Sequence, residues 1–295
     1  MNHRYSLPAD DDEVKASIAT QNPSAPLVVQ WLFAGKNYVG PTKEVLLNAQ
    51  RHKSPRLLDI GTGGGQWAID MADEFRDVEV IGADLAPIQP RFELCDFDLG
   101  KIPYPSRHFD LVHARIKDYP RFLREVARIL RVDATSSQRP GGLLLVIEAD
   151  TIPVINGNLA ADVARSGQYT NVAGWAKLWN AYRTCLKSKG IDLNIPRNMR
   201  RLLNSTGAFT KVVTRSTDVP IGFWPQDDTE LTIGQLAWME HDLLLPAMEP
   251  ILREQCYKSD SEVKLLIENA QRDLYYPKDR LATRLHVIHA MKKTA

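Results

Sequence analysis

Asp59-Ile60-Gly61-Thr62-Gly63-Gly64-Gly65 constrains this chain more than any other stretch, because it follows the apolar pair Leu57-Leu58 and precedes the amphipathic Trp67-Ala68-Ile69. The order reads strand, glycine loop, helix. Glycine is needed at such a turn because a side chain would hold the backbone away from a ligand lying across the strand ends, and only glycine takes positive φ freely. The loop is therefore a cradle for a bound cofactor. Val78-Glu79-Val80-Ile81-Gly82-Ala83-Asp84 reads as a second strand ending in an acid. That acid falls about 20 residues on, where a mononucleotide-binding unit places the carboxylate that accepts ribose hydroxyls.

The glycine spacing narrows the choice of cofactor. A dinucleotide loop has glycines as G-x-G-x-x-G, the last closing the helix onto a pyrophosphate, and here Gln66 holds that last place. The glycines instead run G-x-G-x-G behind Asp59. A third strand, Phe92-Glu93-Leu94-Cys95, ends at Asp96-Phe97, and a fourth is expected over 109–115. A helix over 122–130 shows one apolar face, and Pro140-Gly141-Gly142 introduces an apolar strand over 143–147 that ends at Glu148. Strand and helix alternate, as in a parallel sheet.

On these residues, 56–150 resembles the core of class I S-adenosylmethionine-dependent methyltransferases. The wording Trp67-Ala68-Ile69-Asp70-Met71-Ala72-Asp73-Glu74, Gly82-Ala83-Asp84-Leu85-Ala86-Pro87-Ile88-Gln89-Pro90 and Ile116-Lys117-Asp118-Tyr119-Pro120 is similar to fungal methyltransferases of the LaeA and UMTA type. The resemblance implies an α/β, Rossmann-like fold with a seven-stranded, mostly parallel sheet, a terminal antiparallel pair and a helical lid. It implies S-adenosyl-L-methionine as cofactor, bound by Asp59, Gly61, Thr62, Gly63, Gly65, Asp84, Leu85, Asp96 and Phe97. Two departures stand out. The link over 85–91 holds Pro87 and Pro90 and is too short for the usual crossover helix, and a polar stretch over 132–139 is inserted before Pro140.

Beyond the core, strand-like composition at 209–214 and 285–291 supplies the antiparallel pair, and 222–281 is an excursion from the sheet. The expected organisation is an N-terminal helical cap over 1–55, the cofactor-binding core over 56–150, lid helices and sheet completion over 151–222, a helical cover over 223–281, and a last core strand over 282–295. Val172, Trp175, Leu178, Trp179 and Tyr182 recur at helical spacing, as do Leu236, Met239 and Leu243. Trp175, Trp179, Trp224, Trp238 and Met239 are the expected substrate-binding residues, since methyl transfer works best with water excluded. His113, near the end of the fourth strand, and His241 are the candidate catalytic bases, and no metal is expected.

Composition limits the setting. In 295 residues, Lys+Arg 37 nearly balances Asp+Glu 36, and no basic run suggests a nucleic-acid or membrane partner. Cys95, Cys185 and Cys256 are widely spaced, so neither a disulfide framework nor a zinc site is expected. The N-terminus lacks the apolar stretch of a secretory signal, which points to a cytoplasmic protein. The resemblance implies O-methylation of a hydroxyl or carboxyl group on a small secondary metabolite. A LaeA-like regulatory protein, acting through protein partners and with a nuclear setting open to it, is the alternative, as is a binding-competent but catalytically silent protein. The family's opening wording already begins at Tyr5, which favours the enzyme.

Overall fold

A computed structural model describes residues 24–50, 54–84, 93–94, 101–114, 119–132, 141–160, 174–255 and 259–293. The chain divides into two compact units. A sheet unit comprises Phe33–Glu148, Asn194–Arg215 and His286–Ala295, and a helical unit comprises Met1–Leu32, Ala149–Leu193 and Ser216–Leu285.

In the sheet unit, β1 (Arg56–Ile60), β2 (Glu79–Asp84), β3 (Glu93–Leu94), β4 (Leu111–Ala114) and β5 (Leu143–Ala149) are parallel and ordered β3-β2-β1-β4-β5. β2 begins one residue later than its apolar run, β4 covers only 111–114 of the expected 109–115, and β5 runs two residues past the expected 143–147. Side chains alternate across a strand, so Leu58, Ile60, Val112, Ala114, Leu144 and Val146 share one face. They form a core with Phe122, Leu123 and Val126 of α4 (Tyr119–Ile129) and Met199 and Leu203 of α6 (Ile195–Ser205). Leu57, Asp59, Leu111 and His113 occupy the opposite face, which α2 (Thr42–Gln50) and α3 (Gln66–Glu74) accompany.

Two longer strands complete the architecture, each contributing residues to both units: β8 (Phe209–Ile221) pairs with β9 (Leu281–Lys292), which follows β5. Both are longer than the sequence pattern shows. The two-residue strands β6 (Val154–Ile155) and β7 (Asn158–Leu159) form an antiparallel hairpin on the first residues of β9, bringing the strands to nine.

Asp110 fixes the lower edge of the parallel sheet. Its Oδ2 accepts the Arg56 backbone N–H at 2.8 Å and the Arg131 guanidinium at 2.6 Å. Burial still pushes its carboxyl above the usual carboxylate range, outweighing those two donors.

The helical unit packs α1 (Ser24–Leu32), α5 (Gly174–Ser188), α7 (Asp228–Ala247), α8 (Glu249–Gln255) and α9 (Asp260–Tyr275) around their own apolar core. Helix starts follow local chemistry: the Asp227 carboxylate accepts the N–H groups of Thr229 and Glu230, and Ser259 and Glu262 form a reciprocal capping box. Between β8 and β9 the described elements are three of these helices, α7, α8 and α9.

One expectation is corrected. Cys185 on α5 is fully buried and disulfide-bonded, its partner lying outside the described residues. Wide spacing along the chain does not report distance in space, so the sequence held no sign of this bridge. Among the described residues no helix is long and apolar enough to cross a membrane.

The Gly141-Gly142 pair owes its composition to packing. A Cβ on Gly141 would lie 2.2 Å from the Lys292 backbone oxygen, and Lys292 N–H donates to Gly142 O at 2.8 Å. Gly141→Ala is therefore predicted to destabilise the protein by about 1–3 kcal/mol through overpacking. Urea unfolding measures this, and an unchanged midpoint would contradict the close approach.

Candidate functional site

Strand β1 is the point where the order of the sheet reverses, with β2 on one side and β4 on the other. Open parallel sheets bind ligands beyond the strand ends at such a point. The loop leaving β1 is drawn toward β2: the N–H groups of Gly61 and Thr62 both donate to Ala83 O, at 2.8 and 3.3 Å. Gly61, Gly63 and Gly65 take φ of 75°, 53° and 79°, conformations that side chains resist. A Cβ built on Gly63 meets nothing within 4 Å among the described residues, so its positive φ, not a clash, calls for glycine there. Gly63 N–H donates to Asp84 Oδ2 at 2.8 Å, which places the second-strand acid at the mouth of the loop. Gly65 is the left-handed N-cap of α3 and brings no side-chain acceptor to its first turn.

Below the loop lies a buried polar pair. Asp59 and His113 are register partners on adjacent parallel strands, and Asp59 Oδ1 sits 2.7 Å from His113 Nδ1. Its other oxygen, Oδ2, accepts the Thr62 hydroxyl at 2.7 Å. A carboxylate oxygen accepts, so His113 donates from Nδ1. Its Nε2 is buried and has no partner among the described residues. The Trp67 ring stacks on the imidazole at 4.0 Å and 23°.

Residues preceding α2 hold Trp67 in place. Asn37 O accepts the Trp67 indole N–H at 2.7 Å, Asn37 Nδ2 donates to Asp70 at 3.2 Å, and Tyr38 donates to Glu74 at 2.6 Å. The Asn37 Oδ1 is likewise buried and unpartnered among the described residues. The sequence singled out His113 but gave no role to Asn37 or Trp67: Trp67 meets His113 only through the fold, and Asn37 meets Trp67. Chemically, the site offers a backbone cradle, a carboxylate for hydroxyl groups, and an imidazole whose Nε2 is unpartnered among the described residues.

Of the cofactor candidates, Asp59, Gly61, Thr62, Gly63, Gly65 and Asp84 converge here, whereas Leu85, Asp96 and Phe97 lie outside the described residues. The two candidate bases fall in different units, His113 in the sheet unit and His241 in the helical unit. His241 Nδ1 donates to Ala237 O at 2.7 Å, and burial holds its pKa below the usual histidine value. The aromatic candidates separate. Trp175 and Trp179 flank His241, whereas Trp238 packs with Phe223 and Tyr275, Trp224 lies against Arg280, and Met239 is exposed. No group of three or more His, Cys, Asp or Glu able to hold a metal occurs among the described residues.

Comparison with known proteins gives a match to a methyltransferase-domain family model over residues 35–208. The chain is 25% identical over 268 residues to the secondary metabolism regulator LAE1 of Cochliobolus heterostrophus, covering 84% of this chain and 80% of that protein. It is 28% identical over 180 residues to methyltransferase str3 of Strobilurus tenacellus, covering 58% of this chain and 59% of the relative. Among solved structures, loganic acid methyltransferase with SAH aligns at a TM-score of 0.48 and 12% identity, over 97% of this chain and 99% of that one.

The Asp59 contacts generate a stability prediction. Asp59→Leu strands two buried donors, the His113 Nδ1–H and the Thr62 hydroxyl, at a cost of about 1–3 kcal/mol each. Asp59→Asn is expected to lose much less, because its carbonyl still accepts the imidazole N–H while its amide donates to the Thr62 oxygen. Equal urea midpoints for the two variants would contradict the pairing.

Proposed function

Because this chain belongs to the methyltransferase-domain family and takes S-adenosylmethionine as its cofactor, we propose that it methylates a hydroxyl or carboxyl oxygen of a small secondary metabolite. The observation that carries the reading is the Gly63 cradle, open on its Cβ side and braced by Asp84. When bound, S-adenosylmethionine supplies a methyl group already activated on a sulfonium, so the protein's work is chiefly positioning.

In this reading the loop backbone at Gly61, Gly63 and Gly65 admits the cofactor, and Asp84 accepts its ribose hydroxyls. Both carboxylate oxygens of Asp59 serve Thr62 and His113, so its part is to hold the loop and orient the imidazole. His113 then removes the proton of a hydroxyl acceptor through Nε2, and the Asp59 carboxylate stabilises the imidazolium that forms. A carboxylate acceptor needs no base. Similarity to the regulator LAE1 favours a second reading, a methyltransferase-fold regulator acting through protein partners.

Labelled methyl transfer into a metabolite extract separates the two. The prediction is that label enters a small molecule, that Gly63→Val stays folded by circular dichroism but no longer binds S-adenosylhomocysteine in calorimetry, and that His113→Ala binds it normally with much lower turnover. Normal binding by the Gly63 variant would reduce the loop to a structural turn. Label found only in protein would favour the regulator.

A further inference from the structure

The six tryptophans sort by the fate of their indole N–H. Three donate to backbone carbonyls: Trp67 to Asn37 at 2.7 Å, Trp224 to Leu281 at 3.0 Å and Trp238 to Leu274 at 3.2 Å. Trp31 is 46% exposed. Trp175 and Trp179 are only 1% and 8% exposed, and neither Nε1–H finds an acceptor among the described residues. Buried donors are almost always paired, so two orphans of the same kind in one place need a reason.

They share one place. Both lie one helical turn apart on α5, with ring centroids 6.0 Å apart. His241 of α7 packs beside both, at 5.4 and 6.2 Å. Burial keeps its imidazole neutral, and its Nδ1–H is already given to Ala237 O, so the ring adds no charge to the cluster. Tyr182, half-buried, meets the Trp179 ring edge-on at 5.9 Å, and exposure rises along α5 from Trp175 through Trp179 to Tyr182.

We propose that Trp175, Trp179 and His241 form a binding site in the helical unit for an apolar small molecule that presents a carbonyl oxygen to the two indole N–H groups. Two neutral donors suit a carbonyl with two lone pairs. A carboxylate would bring a charge that neutral donors compensate poorly in an apolar core. The site rests on the paired indole donors of the helical unit alone.

The test follows the indole N–H resonances of the 15N-labelled full chain as acetophenone, benzoate or ethylbenzene is added. Trp175→Phe and Trp179→Phe assign the two signals. In the unliganded protein these two are expected upfield of the other four in the proton dimension. Acetophenone moves them downfield, ethylbenzene of similar shape leaves them in place, and benzoate binds at least about ten-fold more weakly than acetophenone. Each Phe variant keeps a ring but loses the donor, weakening acetophenone binding by about five-fold.

Saturating acetophenone with both signals unmoved overturns the site, and benzoate binding as tightly as acetophenone overturns the carbonyl assignment. If the Phe variants fail to fold, the three probes on the wild-type chain decide alone. Calorimetry with S-adenosylhomocysteine on the same samples keeps the questions apart. Cofactor binding without an indole response to acetophenone sinks this site and spares the methyl-transfer reading. An indole response without cofactor binding does the reverse.

Discussion

The buried carboxylate of Asp59 is the contact on which the site depends. One oxygen holds the Thr62 hydroxyl and so the start of the glycine loop, and the other holds the His113 imidazole on the neighbouring strand. Both bonds are made where water is excluded, so losing the acceptor leaves donors unpaired, a larger cost than the net worth of either bond. The parallel register of Asp59 with His113 makes the arrangement possible, and Asp110, accepting the Arg56 N–H beneath, holds that register. Loop shape and histidine orientation thus derive from one side chain.

The loop is shaped by a second pull from β2. Ala83 O accepts two loop N–H groups and the Asp84 carboxylate accepts a third, from Gly63. With its backbone donors drawn toward β2 and its glycines in left-handed conformations, the loop presents bare backbone to whatever lies above it. Trp67 covers His113 on the α3 side, held there through Asn37. The helical unit is stabilised separately, by its own apolar core and its capped helices.

Much of this was legible in the chain because it is written in local chemistry. Positive φ at Gly61, Gly63 and Gly65 demands glycine, and the apolar runs before Asp84 and around Val112 announce buried parallel strands. Helical spacing identified the face carrying Trp175 and Trp179. What stayed hidden depends on meetings across the chain. His113 reaches Asp59 over 54 residues, and Trp67 reaches Asn37 over 30, through strand register and helix packing that no local pattern records. Periodicity gives a helix its apolar face but not the partner that face meets. Trp238 therefore read like Trp179, though it packs with Phe223 and Tyr275 and gives its N–H to Leu274. The Cys185 bridge was invisible for the same reason.

The central claim is that the loop from Gly61 to Gly65, with Asp84 at its mouth, is where the cofactor lies. Hydrogen–deuterium exchange of the full chain with and without S-adenosylhomocysteine tests it most directly. Slowed exchange is expected, concentrated in peptides spanning 59–68 and the end of β2. Binding that leaves those peptides unchanged, while protecting others, would contradict it.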